Sequence, residues 1–267
     1  MNRNSNTYTI IYSAVLVVLV AAGLALLSIA LRSPQQANIR TEKMQSILAS
    51  FGKGIVPTGE AKNSYIENEY ATYIVDTYTV GVDGEKKQGE DAFDVDMKYQ
   101  LSLPAEQRTL PVFEAKDGNK NIYILPLYGT GLWGPIWGYL AVDSDGSTVL
   151  GSVFSHSGET PGLGAEIATP MFSNRFIDKQ IFEGERFVSI AVVKPGSAAL
   201  NSHNVDGISG GTLTSQGVND MLRDNLTDYK AFLMKNGTKF STDNGSVTVE
   251  EAELAAQEEN TEVEDTL

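Results

Sequence analysis

Asp206-Gly207-Ile208-Ser209-Gly210-Gly211-Thr212-Leu213-Thr214-Ser215-Gln216-Gly217-Val218 sets glycines and hydroxyls directly before an apolar-periodic run. That run continues through Met221, Leu222, Leu226, Tyr229, Phe232 and Leu233, the i, i+3, i+4 stripe of an amphipathic helix. Thr214 or Ser215 is the expected N-cap. Small residues let a bulky ligand approach the backbone, and hydroxyls offer nucleophiles or donors to phosphate. A helix opening on such a loop suits an anion, because its first N–H groups are free and its dipole is positive there. A solvated serine- and glycine-rich loop ahead of a capped helix explains the same residues. The stretch is not a P-loop, since no Lys follows the glycines, nor is it a G-x-G-x-x-G dinucleotide loop.

Two further glycine-rich loops precede it. His156-Ser157-Gly158-Glu159-Thr160-Pro161-Gly162-Leu163-Gly164 is stiffened by its Pro, and its glycines free N–H groups to face a ligand. The His156/Glu159 pair has the residue types of acid/base chemistry or of two metal ligands. A stabilising surface loop is the commoner meaning of such a pair, and no third ligand is evident. Tyr128-Gly129-Thr130-Gly131-Leu132-Trp133-Gly134-Pro135-Ile136-Trp137-Gly138 combines close backbone approach with flat indole surface. A tight turn with core tryptophans reads equally well.

Around these loops, residues 121–127, 139–143, 148–155 and 186–193 are expected strands, and residues 65–82 hold one or two more. Residues 39–51 read as a helix, 83–95 as an exposed loop, and Pro170 starts a short helix to Phe176. Lys194-Pro195-Gly196 closes a strand, and Asn236-Gly237 ends the long helix.

Composition narrows the function. The 267 residues are 42% hydrophobic and 20% charged, as in a folded protein. A net charge of −14 argues against a nucleic-acid partner. Residues 250–265 carry eight of the carboxylates, and without them the net charge is −6. The absence of cysteine excludes disulfides, thiolate metal clusters and a Cys nucleophile. Two histidines argue against a His-rich metal cage, so no metal site is expected.

Residues 10–31 contain no charge over 22 positions, which as a helix spans roughly 33 Å and crosses a hydrocarbon core. This is longer than the apolar core of a cleaved signal peptide. Arg3 lies before the span and Arg32, Arg40 and Lys43 beyond it, so the positive-inside count leans towards a cytoplasmic body. The expected organisation is a tail over 1–8, an anchor over 9–32, a folded domain over 33–240 and an acidic disordered tail over 241–267.

An anchor followed by Gly129-Thr130-Gly131-Leu132-Trp133, Gly158-Glu159-Thr160-Pro161-Gly162-Leu163-Gly164 and residues 206–212 resembles the covalent FMN-binding domain family. The likeness is to its branch of C subunits from sodium-translocating NADH:quinone reductases. In that family an Asp precedes a Ser/Thr-Gly-Ala-Thr motif; Asp206, Ser209, Gly210 and Thr212 match, and Gly211 replaces the usual Ala. The resemblance implies an α+β domain with FMN joined to Thr212 through a phosphoester, installed by a separate flavin transferase, with Thr214 the nearby rival acceptor. It further implies flavin contacts from Trp133, Glu159, Thr160, Leu163 and Gly164, and a phosphate or reduced-flavin contact from Lys194. It implies one-electron relay from an iron–sulfur centre of partner membrane subunits to a second covalent-flavin subunit. The flavin domain is then periplasmic on a single-pass inner-membrane protein, against the lean of the charge count. The G subunit of the Rnf ferredoxin:NAD oxidoreductase shares two of the motifs. A membrane-anchored binding domain without redox chemistry needs only the anchor, the strands and the acidic surface.

Overall fold

The computed structural model describes residues 6–89, 91–197, 199 and 201–243. The chain forms two compact units, Met1–Thr72 and Tyr73–Leu267. The acidic stretch from 244 onwards lies outside the described residues, which end in a short 3-10 turn, Thr238–Asp243.

In the first unit, helix α1 runs unbroken from Asn6 to Ala49, so the apolar span and the expected helix over 39–51 are one element. Every large apolar side chain between Ile10 and Leu31 is exposed, around the whole circumference. The apolar window has a mean hydropathy of 2.9 and none of it is buried. The helix is long and apolar enough to cross a membrane, and an apolar surface on all sides suits hydrocarbon better than water. Helix α2, Lys62–Tyr73, occupies ground expected to be strand. Its only buried residue is Ile66, and the apolar–polar alternation that reads as strand is paired in a sheet only from Ile74 onwards. Glu69 accepts from the Gly54 N–H at 2.7 Å and ties α2 to the loop after α1.

The second unit is built on six strands. They are β1 Ile74–Val80, β2 Lys86–Lys87, β3 Leu110–Asp117, β4 Lys120–Thr130, β5 Pro135–Asp143 and β6 Val149–His156. All are antiparallel, in the order β2-β1-β3-β4-β5-β6. Strand β4 is central and buried on both faces, which explains its nearly continuous apolar run from Ile122 to Leu127. Strand β3 and the short helix α3, Met97–Ser102, fall outside the elements expected from the sequence. Within the loop over 83–95, Ala92 and Val95 are buried, and Phe93 stacks edge-on against Phe113.

Helix α4, Pro170–Ser173, passes into a 3-10 turn, Asn174–Phe176, held by Phe154, Phe172 and Phe176 with centroids 5.1–5.6 Å apart. The strand expected over 186–193 divides into β8 Arg186–Phe187, paired with β7 Phe182–Glu183, and β9 Ala191–Val193. Strand β9 runs parallel to β10 Asn204–Asp206. Helix α5, Thr212–Asn236, then lays its apolar stripe into the core. The Tyr229 hydroxyl donates to the Pro111 carbonyl at 2.8 Å, with the Pro126 carbonyl at 3.4 Å, joining α5 to β3 and β4. Asn225 brackets the end of β4, donating to Tyr128 O at 3.0 Å and accepting from Tyr128 N–H at 3.1 Å.

Candidate flavin site

The loop after β10, the start of α5 and the two earlier glycine-rich loops meet at one open groove of about 160 Å³. Trp133, Glu159, Thr160, Leu163, Gly164, Gly210, Gly211, Thr212 and Thr214 all line it. Its rim is apolar and exposed: Leu132 is 48% exposed, Trp133 68%, Leu163 43% and Leu213 61%.

The helix starts three or four residues earlier than expected. Gly211 is the N-cap, with φ −108° and ψ 42°, and offers no side-chain cap. The two hydroxyls expected to cap are committed elsewhere. Ser215 Oγ accepts from the Ile208 N–H at 2.8 Å, and the Thr214 hydroxyl donates to Glu159 Oε2 at 2.6 Å. The first turn therefore presents its positive end towards the groove, with Thr212 as its first helical residue.

The two threonines differ sharply. Thr212 is exposed at the groove, whereas Thr214 is 1% exposed. Behind Thr212 the loop is fixed at each step. Gly207 N–H donates to Val193 O at 2.7 Å, and Gly211 N–H to Ile208 O at 3.1 Å. Arg175 Nη1 donates to the carbonyls of Asp206 and Gly207 at 2.7 and 2.9 Å. Gly210 holds a φ of +77°, where a side chain would be strained.

Not every expected residue reaches the groove. Lys194 is exposed and lines a separate cleft of about 80 Å³, which it shares with Thr212, Ser215 and Gln216. Ser209 is exposed on the loop between them and lines neither. Asp206 also lines neither, and its Oδ1 is buried without a hydrogen-bond partner among the described residues. Glu159 N–H donates to His156 Nδ1 at 3.1 Å, so the His156/Glu159 pair closes a turn. Among the described residues there is no cluster of metal-ligating side chains.

Sequence reasoning passed over Leu132, Leu213 and Arg175. Leu213 carries a usable signal, being an apolar residue of the first turn that the buried stripe of α5 leaves out. Arg175 carries none, because its task is to hold carbonyls of a loop 31 residues away. A larger cleft, about 820 Å³, lies between α3 and α5, but its arginines and carboxylates are spent on one another. Arg108 pairs with Asp228 at 2.7 Å and Arg223 with Asp220 at 3.1 Å. Burial holds the Asp228 carboxyl above its ordinary range despite that arginine.

A flat, largely apolar ring carrying one phosphate fits what the groove presents: an aliphatic and indole rim, small glycine walls and an uncapped helix start. The fold and groove define an FMN-binding domain, and the description of that domain family matches residues 131–227. The C subunit of the Na(+)-translocating NADH-quinone reductase of Vibrio anguillarum is 34% identical over 208 residues, which cover 72% of this chain and 78% of that relative. The solved structure of the C subunit from Parabacteroides distasonis shares 45% identity at a TM-score of 0.69, covering 76% of this chain and 96% of that one. That of Shewanella oneidensis NqrC shares 26% at a TM-score of 0.59, covering 73% and 96%. The chain belongs to the family of C subunits of Na(+)-translocating NADH-quinone reductases.

Proposed function

We propose that the chain is the membrane-anchored relay subunit of a sodium-pumping NADH:quinone oxidoreductase and carries FMN on Thr212 through a phosphoester. The observation that carries this reading is the contrast between the two threonines: Thr212 is exposed and lines an apolar-rimmed groove, while Thr214 is buried and bonded to Glu159. Bound there, FMN supplies one-electron transfer between an iron–sulfur centre of partner membrane subunits and a second covalent-flavin subunit.

The residues present have defined tasks in that reading. Leu132, Trp133, Leu163 and Leu213 give the ring apolar walls. The first N–H groups of α5 stabilise phosphate charge, and Lys194 adds a cation in the cleft on the other side of Thr212. A covalent tether keeps the flavin at high effective concentration, which matters most where free FMN would diffuse away. Such a place is the periplasm, where we put the domain, with α1 as its anchor in the inner membrane. Maturation requires an exposed acceptor loop for a flavin transferase, and residues 209–210 and 212–213 are exposed.

In-gel fluorescence of the denatured protein, coexpressed with the transferase, tests the reading. Thr212→Ala is expected to abolish the flavin band and Thr214→Ala to retain it. A band that survives Thr212→Ala would place the acceptor elsewhere.

A further inference from the structure

We infer that Glu159 tunes the redox potential of the flavin as well as shaping its groove: its carboxylate makes a ring held there harder to reduce. The inference rests on the FMN reading of the groove. Glu159 is almost wholly buried, yet it lines the groove. Its Oε1 accepts from the Trp133 N–H at 2.9 Å and its Oε2 from the Thr214 hydroxyl at 2.6 Å. One side chain thereby joins all three glycine-rich stretches. Two glycines leave the room it needs. A Cβ on Gly131 would stand 2.5 Å from Oε1, and one on Gly164 would stand 2.5 Å from Oε2.

The Trp133 N–H can only donate, and the Thr214 hydroxyl donates to the other oxygen, a pair of donors that suits a carboxylate. Among the described residues no Lys or Arg forms a salt bridge with it. An electron added to a ring in this groove, taken from a one-electron donor that is itself oxidised, puts negative charge beside a carboxylate that no Lys or Arg salt bridge among the described residues offsets. Like charges repel most strongly where little water screens them, so the carboxylate lowers the potential.

Glu159→Gln separates charge from shape. The Gln Oε1 accepts from Trp133 N–H, and its amide donates to the Thr214 hydroxyl, which accepts as readily as it donates. Full-length chain coexpressed with the transferase is titrated against redox mediators, with flavin loading and melting temperature read on the same samples. Glu159→Gln is expected to load and melt as the parent does, with a more positive midpoint potential. Asp224→Asn makes the same charge change at an exposed position of α5 and is expected to leave the potential in place. Thr214→Val keeps the charge but removes a donor, and is expected to move the potential the other way. A loaded Glu159→Gln protein with the parent's potential overturns the inference. If that variant does not fold, Thr214→Val decides, and an unchanged or more positive potential overturns it. A parent chain without flavin fluorescence overturns the FMN reading, and this inference with it.

Discussion

Thr212 and Thr214 are two residues apart on one helix, yet their surroundings give them different chemistry. Two positions along a helix is about 200° around it, so Thr212 stays exposed while the Thr214 hydroxyl turns inwards to Glu159. Gly211 stands where the resemblance drawn from the sequence expects Ala. Its φ of −108° suits any L-residue. An added Cβ would meet Ile208 Cγ2 at 3.1 Å and Gly164 N at 3.2 Å, so the neighbours need give only a few tenths of an ångström. Gly211→Ala is therefore expected to keep its in-gel flavin band. Gly210→Ala must adopt a φ of +77° and brings its Cβ within 2.8 Å of Leu163 Cδ2. It is expected to lose about 1 kcal/mol or more of stability and most of its flavin loading, by melting and fluorescence. Equal loading of both variants would contradict these roles for the two glycines.

At the scale of elements, α5 is both the core's main helix and the site's scaffold. Tyr229 shows the coupling, because its fully buried hydroxyl spans to carbonyls of both β3 and β4. Tyr229→Phe is expected to cost about 1–2 kcal/mol in urea unfolding, since it leaves a buried carbonyl without its donor. Unchanged stability would show that these bonds carry no weight. The stripe of α5 was readable in the sequence because its apolar members are all buried in one core. The helix start was not, because Ser215 and Thr214 have the chemistry of caps but bond to Ile208 and Glu159 instead. Helix α2 was hidden for a different reason: a short surface helix with one buried apolar residue has little periodicity to read. The glycines misled in part. Gly129 lies where a Cβ would be 2.7 Å from Met221 Cβ, so it serves helix–strand packing rather than a ligand.

At the scale of the whole molecule, the second unit buries several phenols that must stay neutral. Burial raises Tyr78, Tyr123 and Tyr229 above the ordinary tyrosine value, with Glu114 adding to the first two and Asp228 to the third. A folded-state pKa above the unfolded one means that ionisation favours unfolding. Their stabilisation is thus complete below about pH 10 and is lost as pH rises beyond it. Phenolate absorbance is expected to rise together with loss of circular dichroism, whereas titration of all tyrosines near pH 10 without unfolding would contradict the burial. The exposed apolar circumference of α1 and the acidic, cysteine-free body were evident from composition. The closure of the groove was not, because it depends on one carboxylate reaching a loop 26 residues away and the first turn of α5, 55 residues away in sequence.

Covalent FMN on Thr212 is tested most directly by mass spectrometry of the native full-length chain, intact and after proteolysis. The expected result is a mass increase of one FMN phosphoester, localised to Thr212. An unmodified peptide across residues 206–218 from a transferase-competent host, or the same increase on Thr214, would contradict it.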